Sequence, residues 1–439
     1  MKKFKRIPRI IATALSLLVA VGIGTSTPAS AATTANKYAY SVGVDHGFVW
    51  PWSSDSSGDF TPNVNYACTA YGMISNVSSY KNYQPTYTYM RGNNANGNRR
   101  IASDIVFLNG HGNSDCIAFN HDNDWGDYAT GVYINNDYDS TSGYEYAGFC
   151  STNMNSCDHI SLVGCSTASN GDTNITWKAV DKGANSALGF TDSINSRTSD
   201  GKGWLQKYND ALANGYTISR CLTYANSFYS SSNLGTYAKI YGSSLNTVAS
   251  SSKSSSNELT NVTTNIPLSR LNNVVDSEIM IESKQIELIL SKIKNIDSSF
   301  EANDYKMTIN MFAPQDGNGM ITFSYYIGEN IKTNKAYIAV IENNTVVEII
   351  ANNVVTDMLN SKIPVNINVE AMENAVIQHQ KNNDIESKAC SVQNITSINN
   401  NYYFDFITNE LRYEGTVFYE NVAADNVIMD ITTTTVLKY

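Results

Sequence analysis

The first half of the chain is punctuated by apolar runs too short to be helices. DIVFLN (104–109) and HISLVG (159–164) carry the unbroken pattern of strands buried on both faces of a parallel sheet. KYAYSVGVD (37–45) alternates before it turns apolar and predicts the first strand; TYTYM (86–90) predicts a second and SALGFT (186–191) another. Between these runs, apolar residues recur at helical spacing in 61–80, after a Thr-Pro start, and again around 173–182, 203–214 and 217–229. Residues 113–156 are loop-rich, with a hairpin predicted near CIAFN and GVYIN. Strands that alternate with helices predict an α/β fold, a mostly parallel sheet with helices on both faces, over residues 36–245.

The pattern then breaks. SSLNTVASSSKSSSNELTN (243–261) has too little apolar content to pack and predicts a flexible Ser-rich linker, assigned to 246–262. Beyond it, a helical segment at 284–296 precedes strands near 305–312, 320–327 and 335–350. A second helix at 369–380 precedes strands near 402–408, 410–419 and 426–437, a displacement of about 85 residues. This predicts a tandem α+β region over 263–439, with two repeats at about 276–355 and 366–439.

The first residues change the picture of where the protein works. Lys2, Lys3, Lys5, Arg6 and Arg9 precede an apolar stretch at 10–24, and Ala29-Ser30-Ala31 has the form of a signal-peptidase site. The apolar stretch falls short of the roughly 20 residues that span a bilayer. Residues 1–31 are therefore expected to be a signal peptide of Gram-positive type, and the mature chain to be secreted, with no stable membrane insertion. Loss of the five basic residues moves the formal charge from -10 to about -15. So acidic a chain, with no concentrated basic patch, is a poor partner for nucleic acid. Seven cysteines leave one thiol over after any pairing, and Cys150 and Cys157 bracket a loop short enough to bridge. No Cys-x-x-Cys pair or phosphate-binding glycine loop is present, so no metal or other cofactor is expected.

Two of the buried-strand runs end in reactive residues: DIVFLN leads into Gly110-His111-Gly112, and HISLVG into Cys165-Ser166-Thr167. Active sites of open α/β sheets form beyond the carboxyl ends of the strands. If the two strands are neighbours, His111 and Cys165 emerge together, and an imidazole beside a thiol generates the nucleophilic thiolate. The backbone N–H groups of Gly112 and Cys165 are candidate oxyanion donors, Gly112 having no side chain to obstruct a substrate. His46, in VGVDHG, also ends a predicted strand and competes with His111; His121 and His159 read as ordinary structural histidines.

Strand-His-Gly followed some 50 residues later by strand-Gly-Cys resembles the caspase-fold cysteine peptidases: caspases, legumains, clostripain, gingipains and the CHAT group. The stretches that carry the resemblance are DIVFLNGHG and HISLVGCSTAS, supported by GANSALGFTDS and the two helical segments after it, over about 37–245. The resemblance implies a caspase-like sheet and a secreted cysteine endopeptidase acting on protein or peptide, with Cys165 as nucleophile and His111 as general acid and base. It also implies that Asp45 and His46 line the S1 pocket and that Asp192 helps to shape it, pairing with Arg or Lys at P1. A solvated loop aspartate is the alternative for Asp192. The C-terminal region is expected to be either a fold-assisting or inhibitory module, which its helix-then-strands order makes similar to PepSY-type prosegments and which would contact the catalytic domain, or a binding module for substrate or cell envelope. Two other functions stand beside peptidase activity: a catalytically silent surface-binding protein on the same scaffold, and a protein that processes only itself.

Overall fold

In the computed structural model the described residues are 38–43, 47–49, 53–55, 60–72, 74, 78–82, 87–120, 129–139, 144–249, 259–270, 279–328, 331–352, 395–405, 410–419, 422–424, 427–429 and 432–438. The signal peptide expected at 1–31, Asp45, His46, His121, Cys390 and the helix expected at 369–380 lie outside them.

The two unbroken apolar runs form the centre of a six-stranded sheet. The strands are β1 (Tyr38–Val42), β2 (Ser78–Asn82), β3 (Ile105–Asn109), and, after the second sheet described below, the strands His159–Val163, Ser186–Phe190 and Ala238–Gly242. The last three are β9, β10 and β11, because a smaller five-stranded sheet intervenes: β4 (His111–Gly112), β5 (Cys116–Asn120), β6 (Ala129–Tyr133), β7 (Tyr138–Asp139) and β8 (Tyr144–Gly148). The large sheet runs β11-β10-β9-β3-β1-β2, parallel throughout except for β11 at one edge. Every residue of β3 and β9 is buried; β3 is apolar up to Asn109, while β9 alternates the polar His159 and Ser161 with Ile160 and Leu162, both of its faces being covered. Successive side chains point to opposite faces. Ala39, Ile105, Phe107, Leu188 and Phe190 pack on one face beneath α1 (Thr61–Gly72), α4 (Ser199–Ala213) and α5 (Ile218–Phe228). Tyr40, Val106, Leu108, Ile160 and Leu162 pack on the other, against α2 (Tyr87–Arg91), α3 (Ile175–Asp181) and the five-stranded sheet. The expected hairpin near CIAFN and GVYIN is the antiparallel pair β5–β6.

The expected strand at 86–90 is instead the helix α2, and the strand beside β1 is β2, in the segment where the helix from Thr61 was expected to run to 80. Thr and Tyr favour strands only where a pleated, half-buried site receives them. Here Met90 is buried with Tyr40, Val106 and Leu108 on that second face of the sheet, and Tyr89 packs beside them.

Beyond β11, residues 243–249 are packed rather than loose: Ser244 and Val248 are fully buried. Residues 259–262, expected in the linker, open strand β12 (Leu259–Pro267). The helix α6 (Ser283–Ile296) follows, then β13 (Tyr305–Ala313), β14 (Asn318–Ile327), β15 (Ile331–Glu342), β16 (Thr345–Asn352), β17 (Ile395–Asp405), β18 (Glu410–Tyr419) and β19 (Thr432–Lys438), which with β12 make an eight-stranded sheet. The single strand expected over 335–350 is two, because Asn343 and Asn344 both take positive φ (49° and 59°) and close a hairpin.

Residues from Thr34 onward form one compact unit. Phe312, Met320, Ile338 and Ile350 of the second half share a core cluster with α4 and α5 of the first. Asn226 on α5 donates to Thr322 (3.1 Å), and Asn310 donates to the carbonyls of Gly235 (2.9 Å) and Ala238 (3.1 Å). The chain is thus a mixed α/β structure of mostly sheet with several helices. Among the described residues no helix is long and apolar enough to cross a membrane.

Candidate active site

β3 and β9 are parallel neighbours in a register that pairs Ile105 with His159 and Asn109 with Val163. Their carboxyl ends coincide, and the segments beyond them, Gly110-His111-Gly112 and Gly164-Cys165, leave the sheet side by side. The Gly110 N–H donates to the Val163 carbonyl (3.1 Å), extending the pairing past the strand. His111 and Cys165 line one small cleft, together with Phe60, Ile194, Ser196 and Arg197.

The glycines permit this approach. A Cβ on Gly112 would sit 2.9 Å from the Cys165 carbonyl oxygen and 2.9 Å from Thr167 Cγ2. A Cβ on Gly164 would sit 3.1 Å from the Gly112 Cα. Contacts of 2.9 Å are closer than real Cβ atoms come, and 3.1 Å is tighter than most, so the two loops meet backbone to backbone.

Cys165 ends its strand in a sharp turn. Ser166 takes φ 57°, the left-handed region that a side chain disfavours. Three hydrogen bonds hold the turn. The Ser166 N–H donates to the Asp192 carbonyl (3.0 Å), and the Thr167 hydroxyl donates back to the Leu162 carbonyl (2.9 Å) while accepting from the Phe190 N–H (3.1 Å). The Cys165 sulfur is buried under the loop after β10. It accepts from the Ile194 N–H (3.4 Å), and its thiol lies 3.7 Å from the Ile194 carbonyl. The His111 ring meets the Phe60 ring edge to face at 5.6 Å, and the Arg197 guanidinium lies 5.4 Å from the Phe60 ring centre.

No protein-family model matches the chain, and no curated protein is significantly similar to it.

Of the residues expected at the site, the structure brings together His111, Gly112 and Cys165. Asp192 does not line the cleft with them. Its side chain is exposed and accepts from the N–H of its neighbour Ser193 (2.7 Å), so its carboxylate is used within its own loop. His159 is a core residue. Its Nδ1 bonds Ser186 Oγ (2.9 Å) and its Nε2 faces Ser161 Oγ (3.0 Å) and Tyr208 Oη (2.8 Å), and burial pushes the imidazole down to about 3. The six described cysteines are free thiols, Cys150 and Cys157 included, so the loop between those two is not closed by a disulfide. Among the described residues no three His, Cys, Asp or Glu side chains converge in a metal-binding group.

Phe60, Ile194 and Arg197, which line the cleft, were not legible from the motifs. They come from the approach to α1 and from the loop after β10, distant in sequence from both motifs. Two buried asparagines were also missed. Asn63 donates to Asn109 Oδ1 (2.7 Å) and to the Ser196 carbonyl (2.8 Å). Asn109 carried the one available signal, a polar residue closing an otherwise apolar strand.

Proposed function

We propose that the chain is a secreted cysteine endopeptidase on a caspase-like α/β domain, with Cys165 as nucleophile and His111 as general acid and base. The observation that carries this reading is the convergence of the two side chains, from separate parallel strands, in one cleft at the strands' carboxyl ends. A mostly parallel sheet with helices on both faces is what the resemblance implies, and it supports this reading. In the reaction, His111 takes the Cys165 thiol proton and the sulfur bonds to the scissile carbonyl carbon. The resulting oxyanion is held by backbone N–H groups, for which Gly112 and Cys165 are the candidates. As the C–N bond breaks, His111 returns its proton to the departing amine, leaving a thioester. Water then gives a proton to His111 and its oxygen to the acyl carbon, and the thiol re-forms as the carboxylic product leaves.

Basic P1 specificity through Asp192 is the finer part of the proposal; that exposed carboxylate stands outside the cleft lining, where the charged side chain is Arg197. Digestion of a denatured protein mixture, with new termini mapped by mass spectrometry, tests both points. Cuts that vanish in Cys165→Ala support the peptidase reading, and the residue preceding them gives P1. No Cys165-dependent cut over a range of pH and calcium concentrations would count against it.

A second reading, a binding protein on this scaffold, has its own observation. A cavity of about 340 Å³, in the size range of small-molecule sites, lies away from Cys165 between α5 and the C-terminal sheet, lined by Tyr216, Arg220, Tyr224, Leu259, Asn261 and Glu348 among others.

A further inference from the structure

Asn109 is a fully buried amide in the strand IVFLN, whose other residues are apolar. Burying such a group is unfavourable unless its hydrogen bonds are made, and here they are. Its Nδ2 donates to the Val163 carbonyl (2.8 Å) and to Ser196 Oγ (3.1 Å), and its Oδ1 accepts from Asn63 Nδ2 (2.7 Å). The second Asn63 bond, to the Ser196 carbonyl at 2.8 Å, closes the network.

The partners lie at matching offsets from the site. Asn109 precedes His111 by two residues, Val163 precedes Cys165 by two, and Ser196 follows Ile194 by two. Ile194 is the residue whose N–H reaches the Cys165 sulfur, and Asn63 stands three residues after Phe60, which packs on the His111 ring. One side chain therefore ties together the exits of both motif strands and the loop that covers the thiol. A leucine would fill the volume, but it would take this partner from Val163, Ser196 and Asn63 and would not cross-link these three segments.

We infer that Asn109, oriented by Asn63, is a positioning residue that fixes the His111 loop against the Cys165 loop. This rests on the reading of His111 and Cys165 as a dyad. Asn109 touches neither reacting atom, so its effect is on the coupling between them.

The test is a double-mutant cycle on the full-length protein. Alkylation of Cys165 by iodoacetamide is timed and assigned by peptide mapping, with the fully buried Cys157 and Cys221 as internal reporters of general loosening. The four proteins are native, His111→Ala, Asn109→Leu and the double variant. Changes in accessibility caused by Asn109→Leu alone affect both of its backgrounds equally and cancel in the ratio. In the native background His111→Ala is expected to slow alkylation about tenfold or more, and in the Asn109→Leu background by less than about threefold. Equal slowing in both backgrounds overturns the inference and leaves the dyad intact. No slowing in the native background overturns the dyad and the inference with it. If Asn109→Leu exposes Cys157 or Cys221, Asn63→Ala replaces it. That change leaves Asn109 in place and removes the donor that orients it, together with the bond to the Ser196 carbonyl; the His111 effect is then expected to fall to about half its native logarithm, and an undiminished effect overturns the inference.

Discussion

Gly112 and Gly164 pack backbone against backbone, so closely that a Cβ built on Gly164 would lie 3.1 Å from the Gly112 Cα and 3.3 Å from the Gly112 nitrogen. Each glycine adjoins one of the two reactive residues, so this contact sets the separation of the loops that bear His111 and Cys165.

Gly112→Ala is the direct way to disturb it. The new methyl would meet backbone at Cys165 and Gly164 and the Thr167 methyl, none of which is the free end of a flexible chain. Relief requires the loops to part, and overpacking of this kind costs about 1–3 kcal/mol. Thermal melting should show that loss, and Cys165 labelling by a substrate-like electrophile should slow by about tenfold or more in protein that remains folded. Unchanged labelling would mean that the glycine contact does not set the geometry.

His159 makes stability depend on pH. Burial depresses its imidazole to about 3, against an unfolded value near 6.5. Between those two values the unfolded chain binds a proton that the folded chain does not, so stability falls as pH falls through this window. The contribution lost by pH 3 is about 4 kcal/mol. Denaturant melts of His159→Gln from pH 7 to pH 3 should show a shallower decline than the native protein. Parallel curves would remove His159 as a source of acid sensitivity.

The C-terminal sheet contains its own buried ion pair, Lys335 Nζ to Asp297 Oδ2 at 3.0 Å. Burial alone would raise the Asp297 carboxyl, but hydrogen bonds from Ser299, Tyr337 and Lys335, with the Lys335 charge, hold it well below the usual carboxylate range. Its stabilising contribution is therefore present at neutral pH and drains away as pH drops below about 4. Asp297→Asn leaves the Lys335 cation buried without its counter-charge, and a loss of about 3 kcal/mol or more at pH 7 is expected in denaturant melts. A loss under about 1 kcal/mol would place the pair among the weak surface type.

Phe312, Met320, Ile338, Val340 and Ile350 complete a core that α4 and α5 begin. A chain ending at residue 249 would expose the apolar face those residues cover, and should associate or aggregate in size-exclusion chromatography. A monomeric fragment with a cooperative melt would show that the first half folds without the second.

The α/β half was legible because its signals are local. Short, largely apolar runs such as IVFLN and HISLV, too short for helices, point to buried strands, and each reactive residue follows its run after a single glycine. What escaped reading was set by distant partners. Residues 87–91 are helical because Met90 finds a buried site there, and residues 259–267 are a strand because β16 receives them, not because their Thr-rich sequence is apolar. The same holds at the cleft. Ile194 and Ser196 acquire their contacts only through the loop's path over Cys165, and Asn63 only through the register of α1 on the sheet.

The most direct test of the central claim is intact-mass labelling of the purified protein with acyloxymethyl ketones bearing Arg, Asp or Leu at P1, using native protein, Cys165→Ala and His111→Ala. These reagents alkylate a nucleophilic thiol that can also bind a peptide, the sulfur bonding to the methylene carbon as the carboxylate leaves. The account predicts one adduct per chain with at least one reagent, mapped to Cys165, absent in Cys165→Ala and slowed by about tenfold or more in His111→Ala. An adduct on another cysteine, or labelling of Cys165 at the same rate without His111, would contradict it.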